Sequence, residues 1–330
     1  MKIAFLGTPP FAVAALEALA AAGHDLCCVV AQPDRPAGRG RPLREPATKA
    51  WARAHGIPVL QPEKVRDGRL AAELAAFRPD VLVVVAYGRI LGNDLLDLAP
   101  FGALNVHASL LPRWRGAAPI QRAIAEGDTW SGVTVMRMDE GLDTGDLLLQ
   151  RATPVGPGET SQDLGGRLAR LGGAALVEAL PLLEAGRLVP VRQDGARATL
   201  APIIDREEGR LDFRQPAPRL ACRVRGFTPW PGAFTTLSGK LLKVHAARAA
   251  SPADLLAARI ARTAGSAVPD TAAGVPRPGE AVGISSGVLV ACGEGSALLL
   301  TEVQLEGKKR LPAADFLKGA PLPPGTVLGG

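Results

Sequence analysis

KIAFLGTPPFAVAALEALAAAGHDLCCVVAQ, residues 2–32, sets the fold class. Lys2 to Leu6 is a short apolar run and predicts a strand, followed by a sharp turn at Gly7-Thr-Pro-Pro10. Phe11 to Ala22 predicts a helix that Gly23 closes, as glycine often does. Leu26 to Gln32 predicts a second strand. Strand, helix and strand in this order open a doubly wound α/β sheet. The first turn lacks the G-x-G-x-x-G spacing of a dinucleotide site, and Pro9 and Pro10 have no backbone N–H to offer a pyrophosphate. NAD and FAD are therefore excluded.

The continuation keeps to this pattern. Ala47 to His55 and Arg69 to Phe77 predict helices, with an edge-like strand at Pro58 to Gln61 between them. DVLVVVA, Asp80 to Ala86, is an almost unbroken apolar run, as in a strand covered on both faces. Gly102 to His107 predicts the next strand, Gly132 to Met138 another, and Asp146 to Pro154 a third. Ser161 to Ala185 predicts a long amphipathic helix, and residues 1–190 are taken as the first domain. Residues 191–206 show no periodicity and are expected to link it to a second domain, 207–330. There, short strands at Gly232 to Leu237, Leu241 to Ala247, Ala281 to Ser285, Gly287 to Cys292 and Ala297 to Leu305 suggest a small barrel or sandwich. Ser251 to Gly279, rich in Ala, Gly and Pro, is expected to be a largely flexible surface insertion.

Within the first domain the chemistry concentrates between Asn105 and Asp146. NVHASLLPRWRGAAPIQ spans Asn105 to Gln121 and MDEGLDTGD spans Met138 to Asp146. Residues two apart on a strand share a face, so Asn105 and His107 point the same way. Asn offers an amide donor, and His exchanges a proton near neutrality. Ligands of open α/β sheets bind beyond the carboxyl ends of the strands. Two adjacent strand ends are thus expected to bring Asn105, His107 and Asp143 into one crevice. Asp139, Glu140, Asp143 and Asp146 cluster without a second His, and no metal is expected.

The chain is 330 residues long, with 47% hydrophobic and 21% charged residues, within the range of soluble globular proteins. Lys+Arg number 38 against 32 Asp+Glu, a net charge of +6, which favours an acidic partner such as nucleic acid. QPDRPAGRGRPLREP, Gln32 to Pro46, places Arg35, Arg39, Arg41 and Arg44 among Gly and Pro. It is expected to form a mobile phosphate-contacting loop on the active-site side of the sheet. Cys27, Cys28, Cys222 and Cys292 show no C-x-x-C spacing, which points to a reducing cytoplasm. The start predicts strand, turn and helix rather than a cleavable leader, and no apolar run is long enough for a membrane span.

NVHASLLPRWRGAAPIQ followed by DEGLDTGD resembles the signature of formyltransferases that use 10-formyltetrahydrofolate. GTPPFA, QPDRPAGRG, VVVAYGRIL, RGFTPWPGAF at Arg225 to Phe234 and EGKKRLPAADFL at Glu306 to Leu317 are similar to further family segments, in order. The basic loop and the C-terminal pieces resemble the branch that acts on methionyl-tRNA. The resemblance implies transfer of a formyl group from N10 of the folate to the α-amine of methionine on initiator tRNA, for translation initiation. It implies catalysis by Asn105, His107 and Asp143. It places Ser109, Leu110, Leu111 and Pro112 in a folate-contacting turn, with Arg89, Ile90 and Leu91 shaping the pterin pocket. Arg35, Arg39 and Arg41 would contact tRNA, and the second domain would be an OB-type barrel that binds it. A monomer is expected. Leu200 and Ile203 depart from the family, which usually has Tyr and Lys there, so no tRNA role is assigned to them.

Two other functions share parts of this pattern. A 10-formyltetrahydrofolate hydrolase or a small-molecule formyltransferase would use the same three residues but not the basic loop or second domain. A non-catalytic RNA-binding protein would not need Asn105, His107 and Asp143 together.

Overall fold

A computed structural model describes residues 1–36, 43–264, 277–323 and 325–329. The elements of the first half are β1 (Lys2–Gly7), α1 (Pro10–Ala21), β2 (Asp25–Val30), β3 (Arg35–Pro36), β4 (Leu43–Arg44), α2 (Ala47–Ala54), β5 (Val59–Leu60), α3 (Arg69–Phe77), β6 (Val81–Val85), α4 (Asn93–Leu96), β7 (Ala103–His107), α5 (Pro119–Ala125), β8 (Trp130–Arg137), β9 (Leu147–Pro154) and α6 (Ser161–Glu184). Two compact units emerge. One comprises Met1–Ile120, Trp130–Pro154 and Asp163–Ile203, and the other Gln121–Thr129, Val155–Gln162 and Ile204–Gly330.

The first unit is built on a sheet of order β5-β2-β1-β6-β7-β8-β9. β5, β2, β1, β6 and β7 run parallel, whereas β7, β8 and β9 pair antiparallel. The chain winds outward from β1 to β2 and β5, then returns to β6 and β7 on the other side, so the order reverses between β1 and β6. This is a Rossmann-like sheet with an antiparallel edge. All five side chains of β6 are buried, because layers cover both of its faces. On α1 the buried residues are Ala12, Ala15, Leu16 and Leu19, one stripe at helical spacing. Burying a Leu such as Leu16 or Leu104, both fully enclosed, contributes about 1.5–3 kcal/mol. Gly172 and Gly173 bring α6 close: a Cβ would lie 2.8 Å from Val106 Cγ1 at the first and 2.9 Å from the Ala14 carbonyl at the second.

The second unit continues with α7 (Ala217–Gly226), β10 (Ala233–Leu237), β11 (Lys240–Ala249), α8 (Pro252–Ala264), β12 (Ala281–Ile284), β13 (Gly287–Ala291), β14 (Ala297–Leu305), β15 (Leu311–Pro312) and α9 (Ala313–Gly319). Its antiparallel sheet has the order β10-β11-β14-β13-β12, with β15 on β14. Register shifts around Ala246 bend the β11–β14 ladder, which sharpens twist as bulges do. Among the described residues no pairing of β10 with β12 closes the sheet, and the structure shows an antiparallel β domain.

The expected flexible insertion at Ser251 to Gly279 is corrected in its first half, which is α8. Its alanines, leucines and arginines are strong helix formers, and Ser251 and Asp254 cap it reciprocally. Asp254 Oδ2 accepts from the Ser251 N–H at 2.7 Å, and the Asp254 N–H donates to Ser251 Oγ at 3.3 Å. Ala258 then packs with Ile284, Leu289 and Leu299. Residues 265–276 of that expectation lie outside the described residues.

Candidate active site

Asn105 and His107 stand on β7, where Leu104 and Val106 between and before them are fully buried or nearly so. The alternation forces the two polar side chains onto the opposite face, where both meet Asp143. Asn105 Nδ2 donates to Asp143 Oδ1 over 3.3 Å. His107 Nδ1 lies 3.5 Å from Asp143 Oδ2, and the Gly116 N–H donates to the same oxygen at 2.8 Å. His107 Nε2 faces the Trp114 carbonyl at 2.8 Å. The histidine is 6% exposed and both ring nitrogens face oxygen acceptors. An imidazolium satisfies both, and a neutral ring satisfies one.

The expected route to this cluster is corrected. β8 is antiparallel to β7, with Asn105 opposite Met136 and His107 opposite Thr134. The carboxylate turn therefore leaves at the amino end of β7, where the Met138 N–H donates to the Ala103 carbonyl at 2.8 Å. The turn folds back to deliver Asp143, which takes φ 52°. A non-glycine residue in the left-handed region is costly and is held there only by its surroundings. Trp114 at φ 64° shares this feature, while Gly116 at φ 118° takes a conformation that glycine alone adopts readily. Two strained residues beside one carboxylate mark a constrained site.

The turn after β7 is fastened from within. Ser109 is 1% exposed, its hydroxyl donates to the Arg113 carbonyl at 2.6 Å, and its own carbonyl accepts from Thr134 Oγ1 at 2.7 Å. The Leu111 N–H donates to Thr134 Oγ1 at 3.2 Å, and the Leu111 carbonyl accepts from Gln150 Nε2 at 2.9 Å. Leu110 and Pro112 are half-buried in the same turn. Arg89, Ile90 and Leu91 follow β6, which runs parallel to β7, so this loop and the 109–112 turn leave the sheet on one side. Leu91 is buried and Ile90 is 65% exposed. Next to them Tyr87 is enclosed; burial raises its phenol above the ordinary value and Arg89 opposes this.

Arg35 is exposed on β3, directly across from Arg44 on β4. Arg39 and Arg41 lie outside the described residues. Asp34, at the foot of the ribbon, binds Lys49 Nζ and Gln61 Nε2, each at 2.7 Å.

Several site residues carry no sequence signal strong enough to single them out. Gln193, Thr199 and Ala201 fall in the aperiodic segment after α6. There the Thr199 hydroxyl accepts from the Trp114 N–H at 2.9 Å, and the Ala201 carbonyl accepts from the Ala118 N–H at 3.1 Å. Thr134 could have been found, as a polar residue inside the apolar run of β8. Among the described residues no group of three or more His, Cys, Asp or Glu side chains could hold a metal ion.

Residues 1–180 match the family described as formyl transferase, and residues 203–321 match the formyl transferase C-terminal domain. A methionyl-tRNA formyltransferase of Anaeromyxobacter dehalogenans is 64% identical over 320 residues, covering 97% of each chain. The chain belongs to the methionyl-tRNA formyltransferase family. The methionyl-tRNA formyltransferase of Myxococcus xanthus is 51% identical over 325 residues, 98% of this chain and 97% of its own. Among solved structures, the sugar 3N-formyl transferase WlaRD matches with a TM-score of 0.63 at 14% identity, over 94% of this chain and 99% of its own. HypX from Aquifex aeolicus, solved with tetrahydrofolic acid, matches with a TM-score of 0.60 at 19% identity, over 96% of this chain and 47% of its own. At such identities the likeness is one of fold.

The Gly116 N–H that donates to the Asp143 carboxylate sits in a tightly packed position. A Cβ on Gly116 would sit 2.8 Å from the Ala201 carbonyl, and φ 118° is closed to alanine. Gly116→Ala is expected to displace this N–H and lower the turnover of formyl transfer by about 10-fold or more, since misplacement near 1 Å can cost ~10². Steady-state kinetics beside a melting curve check it; unaltered turnover would separate Gly116 from the site.

Proposed function

We propose that the chain transfers the formyl group of 10-formyltetrahydrofolate to the α-amine of methionyl initiator tRNA, in the cytoplasm and as a monomer, for translation initiation. The observation that supports this above all is the Asn105–His107–Asp143 cluster in a chain that matches methionyl-tRNA formyltransferases along its length. The basic residues of the Gln32–Pro46 loop and the second domain match that branch too, and a hydrolase or small-molecule formyltransferase would not need them. We divide the work between a catalytic domain at 1–190, a connecting segment at 191–206 and a tRNA-binding domain at 207–330, which we take to be OB-like.

The folate supplies an activated one-carbon group on N10. The residues present suit such a ligand: exposed Ile90 offers an apolar side chain, with Arg89 before it and buried Leu91 after it in the chain. The turn from Ser109 through Leu110 and Leu111 to Pro112 lies at the adjacent strand end, on the same side of the sheet. The Ser109 hydroxyl is committed within that turn, so contact there falls to backbone and apolar groups. Asn105 gives one amide hydrogen to Asp143 and keeps a second for an oxygen on which negative charge develops. The Trp114 carbonyl occupies His107 Nε2. Proton movement by His107 therefore runs through Nδ1, the nitrogen that faces Asp143. Asp143 orients the ring, and the Gly116 N–H holds the carboxylate for that task.

Arg35 and Arg44 face each other across an exposed two-stranded ribbon. We take Arg35, Arg39 and Arg41 to contact tRNA, with Arg39 reaching the acceptor end between Gly38 and Gly40. Arg39→Ala is expected to cut transfer to methionyl-tRNA sharply, to leave folate binding intact and to exceed Arg44→Ala by far. Equal, small losses would reduce the arginines to nonspecific attraction, which weakens evenly with each charge removed.

The function itself is tested by offering 10-formyltetrahydrofolate with methionyl initiator tRNA, with glycinamide ribonucleotide and with water alone. Formylation of the tRNA far above the other two outcomes is expected. Rapid hydrolysis without tRNA, or preference for the small amine, would replace this reading with another enzyme on the same core.

A further inference from the structure

Among the described residues 191–197, Gln193 alone is buried, at 8% exposure. Its backbone is pinned on both sides. Val191 and Leu147 exchange two backbone hydrogen bonds of 2.9 Å, and Asp194 Oδ1 caps the next turn by accepting from the Ala196 N–H at 3.0 Å. The side chain thus enters from a held position. Its Nε2 donates to the Asp143 carbonyl at 2.9 Å and to the Gly145 carbonyl at 2.7 Å. Its Oε1 accepts from Arg115 Nε at 3.0 Å and from Arg115 Nη2 at 2.8 Å. A carboxamide has two donor hydrogens and an acceptor oxygen with two lone pairs. All four are used.

The two ends of this bridge are the two halves of the site. One is the turn that presents Asp143 at φ 52°, a conformation that persists only when neighbours over-determine it. The other is Arg115, flanked by Trp114, whose carbonyl holds His107, and Gly116, whose N–H holds Asp143. A buried amide in an otherwise exposed segment is costly unless fully bonded, and here its bonds go to the backbone of the proposed catalytic aspartate. We infer that Gln193 is a positioning residue, which sets the Asp143 carboxylate against His107, Asn105 and Gly116 by clamping the Asp143 turn to Arg115. This rests on the reading of Asp143 as part of the catalytic centre.

Two substitutions test it. Gln193→Met keeps the length and removes all four bonds. Gln193→Glu keeps the acceptor for Arg115 but opposes a carboxylate to the two carbonyls. Both are expected to fold but to melt several degrees below the wild type, because two carbonyls lose their donor, and to lose turnover by ~10–100-fold, the scale of a small misplacement. KM for the folate and for methionyl-tRNA should stay unaltered. Gln193→Glu should be no more active than Gln193→Met, because the donated bonds matter. In an Asp143→Asn background Gln193→Met should lower turnover little further, since residues that act through one another are not additive. Amide hydrogen exchange, read without substrate, should accelerate across residues 139–146 and at Gly116 in Gln193→Met. Unchanged exchange there overturns the inference even if the wild type proves to have another acceptor. So would a loss undiminished in the Asp143→Asn background, or a collapse in melting temperature for both variants, which would make Gln193 a folding residue. A wild type inactive on methionyl-tRNA but with the expected exchange would leave the clamp standing and remove only the proposed reaction.

Discussion

Asp143→Asn is expected to lower turnover by about 10²–10⁴-fold, the range for a group that governs proton transfer, with little change in melting temperature. The substitution is nearly isosteric. One amide oxygen remains to accept from the Gly116 N–H, at 2.8 Å in the wild type. What is lost is the negative charge 3.5 Å from His107 Nδ1, together with the acceptor facing Asn105. An amide NH2 on the Oδ1 side would meet Asn105 Nδ2 donor to donor; turned the other way, it would meet Gly116. Either orientation spoils one contact. A steep fall in melting temperature in parallel with activity would assign Asp143 a structural role instead.

Asn105→Ala and His107→Ala are expected to lower turnover by about 10²–10³-fold each, as loss of a preorganised donor does, while the folate KM stays nearly constant. The two should differ in stability. Asn105 is half-buried and its bond to Asp143 is long, at 3.3 Å, so its removal should leave the melting curve in place. His107→Ala strips the Trp114 carbonyl of its donor inside the structure, a penalty of about 1–3 kcal/mol. Its melting temperature should fall accordingly. Turnover near wild type in either variant would take that residue out of the catalytic centre.

Why these residues were legible, and others not, has a physical basis. The apolar runs of β1 and β6 and the stripe of α1 are local patterns, and local patterns survive in a sequence. Asn105 and His107 could be paired from strand alternation alone. The direction of β8 could not, because a single run of apolar residues reads the same parallel or antiparallel. Asp143 consequently arrived in the site by a route other than the one expected. The 251–264 segment is rich in helix formers and is obscured by the Gly- and Pro-containing residues that follow it; its Ser251–Asp254 cap and buried Ala258 make a helix. Gln193 was hidden most deeply. It lies in a stretch without periodicity, and its partners are backbone carbonyls about 50 positions away, which leave no mark in the sequence.

The central claim is that Asn105, His107 and Asp143 form one unit that transfers the formyl group. Its most direct test is the single-turnover rate of transfer to methionyl initiator tRNA, with both substrates saturating, for the wild type, Asn105→Ala, Asp143→Asn and the double variant. If the residues act as one, the double variant should be about as slow as the slower single variant. A double variant slowed by the product of the two single effects would show that they act independently, and would contradict the account.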